Sequence, residues 1–469
     1  GLRGVELGFG HDRGRGMRHP QLREEVARLG QPRGRRGPQQ GERGVDELGG
    51  GRVASQHPST REGGSGPLRA PRREEAQSIR IETGVDEASG HPPLVVPGDG
   101  LVHLGSLPPR ARRAVARAFG PQPNGSAADR YPPAVRLRLE PQDEYTHELG
   151  PEPTFNESMY ANAFDPAVGL GGWFRIGNRA NEGRGEMTVC LYLPGPGGTP
   201  EGGQVAFMFQ RPEVHSNDAL DAAGLSFTVV EPFEELRIRY AGKVLLLDDP
   251  LQMVEPREAF TSNPYADCTV DLRYLRASDP FGGEPEEAHE REGEEFARGH
   301  YEQLGRAVGT ITVGDRSWTI DGFGLRDHSW GPRTWQAPWY YRWLTGNLGA
   351  DAGFMVSRIA RRDRDGTRAG FVWSEGKMRL LDDVRMHTEW LPGHHHGLVH
   401  ATVRAGDELT WQLTGEVMSY TPPPNRREGL VTRIGEGLTR WTLDDGRVGY
   451  GMSEYLDQII DDRPVGIDE

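Results

Sequence analysis

From about Tyr131 onward, the chain breaks into short apolar-rich runs that end at Gly, Pro or Asp. These include VRLRL (Val135 to Leu139), MTVCLYL (Met187 to Leu193), QVAFMFQ (Gln204 to Gln210), LSFTVVE, LRIRYAG and KVLLLDD. Their length, β-branched content and spacing predict strands of a sandwich or barrel. A second series follows: VGTITVGDRSWTIDGFG, FMVSRIARRDRDGTRAGFVW, LVHATVRAGDELTWQLTGEV and LTRWTLDDGRVGYGMSEY. Each reads as strand, a turn built on Gly-Asp, Asp-Gly or Ala-Gly-Asp, and strand, which is a hairpin pattern. No body segment carries a helical apolar stripe longer than three turns. Only Pro109 to Phe119 reads as a short helix, and the breaker run GPQPNGSAADRYPP follows it. The class expected is all-β, with two packed barrel or sandwich domains, 131–300 and 301–469. The Glu-rich stretch Gly282 to Glu295 reads as a loop near their junction.

Composition changes this picture at the N-terminus. The chain has 469 residues, 35% of them hydrophobic, and a net charge of −14. From Gly1 to about Arg80 the only aromatic residue is Phe9, and Lys, Trp and Tyr are missing. Such a segment buries too little apolar surface to offset its conformational entropy, so residues 1–85 are expected to be a disordered tail. Residues 86–130 then hold the short helix and a linker. The body is more acidic than the whole, which argues against nucleic acid or an anionic membrane surface as partner. No apolar run approaches the ~18 residues that span a bilayer. Cys190 and Cys268 make no disulfide framework and have no metal-ligand spacing, so a reduced, cytoplasmic setting is expected.

Candidate chemistry concentrates in Asp321 to Trp343, DGFGLRDHSWGPRTWQAPWYYRW. With Trp318 this neighbourhood holds five of the ten tryptophans, and Asp327, His328 and Arg333 sit among them. In an extended strand, His328 and Trp330 share one face and Asp327 and Phe323 the other. His328 and Trp330 are then the pair expected to meet a ligand. Asp327 is expected behind them, held by backbone amides or Arg333. Trp335, Trp339, Tyr341 and Trp343 share a face if the following stretch stays extended. The same aromatics could equally form a plain core around a satisfied histidine.

Glu157 in FNESMY and Glu302 in HYEQ lie between aromatic residues. Burial there would raise a carboxyl toward a useful general acid, unless an arginine such as Arg175 or Arg326 pairs with it. Glu454 has the same two readings, with a structural role favoured. His394, His395 and His396 are consecutive in a loop, a poor arrangement for metal, and no metal is expected. There is no glycine-rich phosphate loop opening a helix and no serine in a nucleophile elbow, which disfavours nucleotide cofactors and triad hydrolysis.

DGFGLRDHSWGPR resembles the motif of the carotenoid 1,2-hydratase (hydroxyneurosporene synthase) and AttH-like superfamily. FNESMY, GGWFRIGNRANEG (which contains Trp173) and GYGMSEYLD look similar to an uncharacterised branch of it. The resemblance covers roughly Pro132 to Asp457. It implies two lipocalin-like β-domains, in a superfamily that includes fungal Diels–Alderases. In the hydratases the motif His and Trp are proposed to act with a Tyr-x-Asp. His328 and Trp330 match, whereas Met355 and Ser357 stand where the Tyr-x-Asp is expected.

Residues and resemblance together imply an acid–base enzyme without cofactor: a hydratase or dehydratase, isomerase or cyclase. Its substrate would be a large apolar isoprenoid, polyketide or steroid-like molecule. The expected catalytic groups are His328, Asp327, Glu157 and Glu302. Trp330, Trp335, Trp339, Tyr341, Trp343, Trp173 and Arg333 are the expected ligand contacts. The alternative is a carrier that holds a hydrophobic ligand without converting it.

Overall fold

The computed structural model describes residues 94–96, 100–102 and 137–468, apart from 200–201, 286–296, 334, 364–366 and 428. The expected tail and the Pro109 to Phe119 helix lie outside the described residues. Within the expected linker, Leu94–Val96 and Gly100–Val102 pair as a small antiparallel hairpin.

The body is all-β, two lipocalin-like antiparallel units packed together, as the strand pattern requires. In the first, the strands Phe155–Asp165, Leu170–Arg179, Arg184–Tyr192 and Val205–Gln210 pair in succession. Glu235–Leu247, Tyr265–Arg276, Gly299–Val313 and Arg316–Pro332 continue the series, and the last pairs back onto Phe155–Asp165. Every edge in this ring is paired, so the sheet closes into a barrel. Residues facing inward form one core, including Met159, Phe174, Ile176, Val189, Leu191, Leu236 and Ile238. The 3-10 turn Pro141–Glu144, with Asp143 and Glu144 buried, belongs to the segment that leads into the first barrel strand.

The second sheet runs, in spatial order, from Lys377–Leu380 through Thr367–Ser374, Ala352–Ala360 and Tyr340–Asn347. It continues through Val448–Ile460, Leu430–Leu443, Leu409–Thr421 and His395–Ala405 to Asp383–Leu391. Its inner face gathers Phe354, Val356, Val399, Val403, Leu413 and Trp441. The outer faces of barrel and sheet meet in a third core of Tyr160, Trp173, Phe207, Leu325, Tyr341, Trp343, Met355 and Met452.

The hairpin turns are where the glycines placed them. Gly314, between Val313 and Arg316, has φ +61, and Gly406, between Ala405 and Leu409, has φ +67. Such tight turns need that left-handed backbone, which glycine adopts without steric cost. The change of sheet falls between Pro332 and Tyr340 rather than near residue 300. Gly299–Val313 and Arg316–Pro332 complete the barrel, a long-range pairing that no local pattern announces.

Gly299 shows how tightly one end of the barrel is filled. A Cβ added there would lie 2.1 Å from Cζ2 of Trp330, a fully buried ring. Gly299→Ala should therefore cost about 1–3 kcal/mol through overpacking. Urea unfolding would measure it, and an unchanged midpoint would mean that the Trp330 ring can move aside.

Candidate functional site

The Arg316–Pro332 strand is buried from Leu325 to Gly331 and lies between two strands whose register fixes its faces. Residues directly opposite in an antiparallel pair share a side of the sheet. Asp327 stands opposite Glu302 and Tyr160, and His328 opposite Tyr301 and Met159. Met159 belongs to the barrel interior and Tyr160 to the core between the two units. His328 and Trp330 thus point into the barrel, and Asp327 and Glu302 point toward the second sheet. The alternation is the one a regular strand imposes, but it divides the four expected catalytic residues into two pairs on opposite faces.

Inside the barrel, His328 Nε2 lies 2.5 Å and His147 Nδ1 3.0 Å from the same oxygen, Oε1 of Glu157. Oε2 of Glu157 accepts from the backbone N–H of His147 and from the Asn217 amide, both at 3.1 Å. Burial alone would raise this carboxyl. The hydrogen bonds from His147 and His328 overcome that and hold it down to about 2. Neither Arg175 nor Arg326 is its partner: Arg175 pairs with Glu186, and Arg326 with Glu144 and Gln303. Trp330 stacks on His147, centroids 4.0 Å apart, and forms a small apolar cluster with Phe155 and Tyr301. His147 is a member of this site that sequence reasoning missed. It lies in a segment with no strand or helix pattern, and only its approach to Glu157 gives it a role.

On the opposite face, Glu302 accepts from Trp343 Nε1, which is 3.2 Å from both of its oxygens. Here burial prevails, assisted by the negative charge of Glu454, and the Glu302 carboxyl is pushed up to about 7. Tyr341 donates its hydroxyl to Glu454. Tyr160 meets Trp343 edge-on at 5.6 Å and stacks with Trp173 at 5.9 Å, linking the buried acid to a cavity wall.

That cavity has a volume of about 230 Å³ and lies between the barrel's outer face and the second unit. Trp173, Phe207, Phe209, Phe260 and Trp335 form most of its apolar wall, with Arg175, Glu186 and Glu436 among its polar residues. Arg175 stands 5.3 Å from the Trp335 ring. Glu186 is within 3.4 Å of Arg175, Arg179 and Arg184, whose charges overcome the effect of burial and hold it well below the usual carboxylate range.

Of the expected ligand contacts, Trp173 and Trp335 line the cavity. Tyr341 and Trp343 belong to the core behind it. Trp339 is half-buried under Arg362, and Arg333 is buried with its guanidinium on Ser329 Oγ at 2.7 Å. Trp330 is inside the barrel. His328 and Trp330 do share a face, that of the barrel interior, and no residue of the Arg316–Pro332 strand is among the residues that line this cavity. Period-two alternation says which residues face together but not which side packs against the second unit.

A closed lipocalin-like barrel packed against a second curved β-sheet, with an aromatic-walled cavity between them, is the class these features define. The chain belongs to the family described as a domain of unknown function, DUF7064, whose model matches residues 140–459. No curated protein matches. Among solved structures, a candidate AttH protein from Nitrosomonas europaea is 14% identical. The match covers 70% of this chain and 98% of that one, with a TM-score of 0.46. Kievitone hydratase from Nectria haematococca is 10% identical, over 72% of this chain and 95% of that one, with a TM-score of 0.43. CghA is 12% identical, over 65% and 88%, with a TM-score of 0.37.

Proposed function

We propose that this protein is an acid–base enzyme acting on a large, mostly apolar small molecule held in the cavity between barrel and second sheet. The cavity itself carries the reading: a partly open cleft with tryptophan and phenylalanine walls that also includes carboxylates is suited to proton transfer at carbon. A hydration, dehydration, isomerisation or cyclisation of an isoprenoid, polyketide or steroid-like molecule fits this chemistry. Glu436, 1% exposed and on the cavity wall, gives or takes the proton. The faces of Trp173 and Trp335 stabilise positive charge developing on carbon, worth about 2 kcal/mol for a desolvated contact. Glu186, held ionised by three arginines, supplies fixed charge rather than protons. His328 lies on the other side of the motif strand and is given no role in this cavity.

The second reading, a carrier, is favoured by that same locking of Glu186, which removes one proton donor from the wall. Incubation with a lipid extract, followed by mass spectrometry of bound and converted species, separates the two. The enzyme reading expects Glu436→Gln to retain bound ligand but lose about a hundredfold or more in conversion. Trp173→Ala should weaken binding itself. Conversion by Glu436→Gln at the wild-type rate would sink the assignment, and ligands returned unchanged by the wild type would establish the carrier.

A further inference from the structure

Inside the barrel, on the face of the motif strand away from the cavity, three side chains from separate segments bring their polar ends together. We propose that His147, Glu157 and His328 form a binding site for a divalent cation of the zinc class. This goes beyond the cavity chemistry above and does not depend on it. The two imidazole nitrogens and a carboxylate oxygen all lie within 4.8 Å of one another. Both nitrogens converge on Oε1 of Glu157, while Oε2 is occupied by the His147 amide and Asn217. The carboxylate is thereby turned to present one oxygen beside two nitrogens, as a monodentate ligand would be.

The surroundings hold the donors in place. The His147 ring is fixed by stacking on Trp330, and its Nε2 lies 3.6 Å from Oδ1 of Asp143. That separation is too long for a hydrogen bond, so Asp143 places a negative charge behind the ring without bonding to it. Two nitrogens and one oxygen suit zinc or a neighbouring transition ion, whereas magnesium and calcium require mostly oxygen. Three protein ligands leave a fourth position for water. Trp330, whose ring stacks on His147, has its Nε1 buried without a hydrogen-bond partner. A polar guest would relieve it, since buried polar groups are normally satisfied by protein or by ordered water. His147, with 19% of its side chain exposed, marks the solvent side of the site.

The competing account is a carboxylate that shares protons with two histidines and holds no ion. Full-length protein, stripped with chelator and dialysed, distinguishes them when titrated with Zn(II) by calorimetry and with Co(II) by visible absorption. One equivalent of Zn(II) per chain and the intense absorption of four-coordinate Co(II) are expected. His147→Ala and Glu157→Gln should each weaken Zn(II) binding by about a hundredfold or more and remove the Co(II) spectrum. If His147→Ala fails to fold, His147→Gln is read in its place. No Zn(II) uptake by the wild type would overturn the proposal. So would uptake that persists undiminished in these variants, which would place the ion on other histidines such as the His394 to His396 run.

Discussion

Arg326→Met should cost about 3–5 kcal/mol of stability, the largest effect of any single substitution considered for this protein. The Arg326 guanidinium lies inside the barrel and donates to both oxygens of Glu144, one of them at 3.0 Å. It also donates to Gln303 Oε1, from Nε at 3.0 Å and from Nη2 at 2.6 Å. The two charged side chains are 5% and 1% exposed. Glu144 comes from the turn before the first barrel strand, and Gln303 holds the carbonyls of Phe233 and Ser278. Methionine fills much of the volume but leaves the Glu144 carboxylate buried, with the Phe233 N–H (3.0 Å) remaining as a donor. The cost comes from that stranded charge more than from the lost attraction. The double variant Arg326→Met, Glu144→Gln should accordingly recover a large part of the loss. A double-mutant cycle from urea unfolding measures it, and strict additivity of the two substitutions would refute the account.

Glu302→Gln is expected to act in the opposite direction, and only above a certain pH. The carboxyl, normally near 4.5, stands at about 7 in the folded chain because burial and Glu454 disfavour its charge. The folded state therefore holds this proton more tightly than the unfolded state does. Its contribution is fully present below pH 4.5 and is lost as the pH rises through about 7. A displacement from 4.5 to about 7 corresponds to about 3 kcal/mol. Glutamine resembles the protonated acid and can still accept from Trp343 Nε1, but it has no charge to bury. The variant should match the wild type at pH 4 and exceed it by up to about 3 kcal/mol at pH 8. Unfolding free energies across this range decide the matter, and equal stability at pH 8 would show that Glu302 ionises without penalty.

His328→Ala has a different outcome from that of a residue lining a cavity. His328 is fully buried and bonded to Glu157, so its removal opens space inside the barrel and takes a donor from a buried carboxylate. Likewise, the environment assumed for Glu157 from its aromatic neighbours proved incomplete. Burial was correctly expected, but the direction of its pKa follows from two histidines, one 10 and the other 171 residues away. For Glu302, whose neighbours include Trp343 and Glu454, burial pushes the carboxyl up, with no histidine hydrogen bond to oppose it as at Glu157.

The amino-acid sequence by itself determined the all-β class, the hairpins with their glycine turns, and the opposite facing of Asp327 and His328. Each depends on local physics: backbone sterics at Gly314 and Gly406, and the two-residue period of an extended strand. Tertiary structure alone decided that Gly299–Val313 and Arg316–Pro332 close the first barrel, because closure is a pairing with Phe155–Asp165 across more than a hundred residues. It alone decided which face of the motif strand packs toward the second sheet and which faces the barrel interior. Alternation is symmetric between the two sides of a strand, and only packing against the second sheet makes them different. The gathering of His147 with Glu157 and His328 has the same origin, since a segment without periodic pattern takes its place from the barrel it enters.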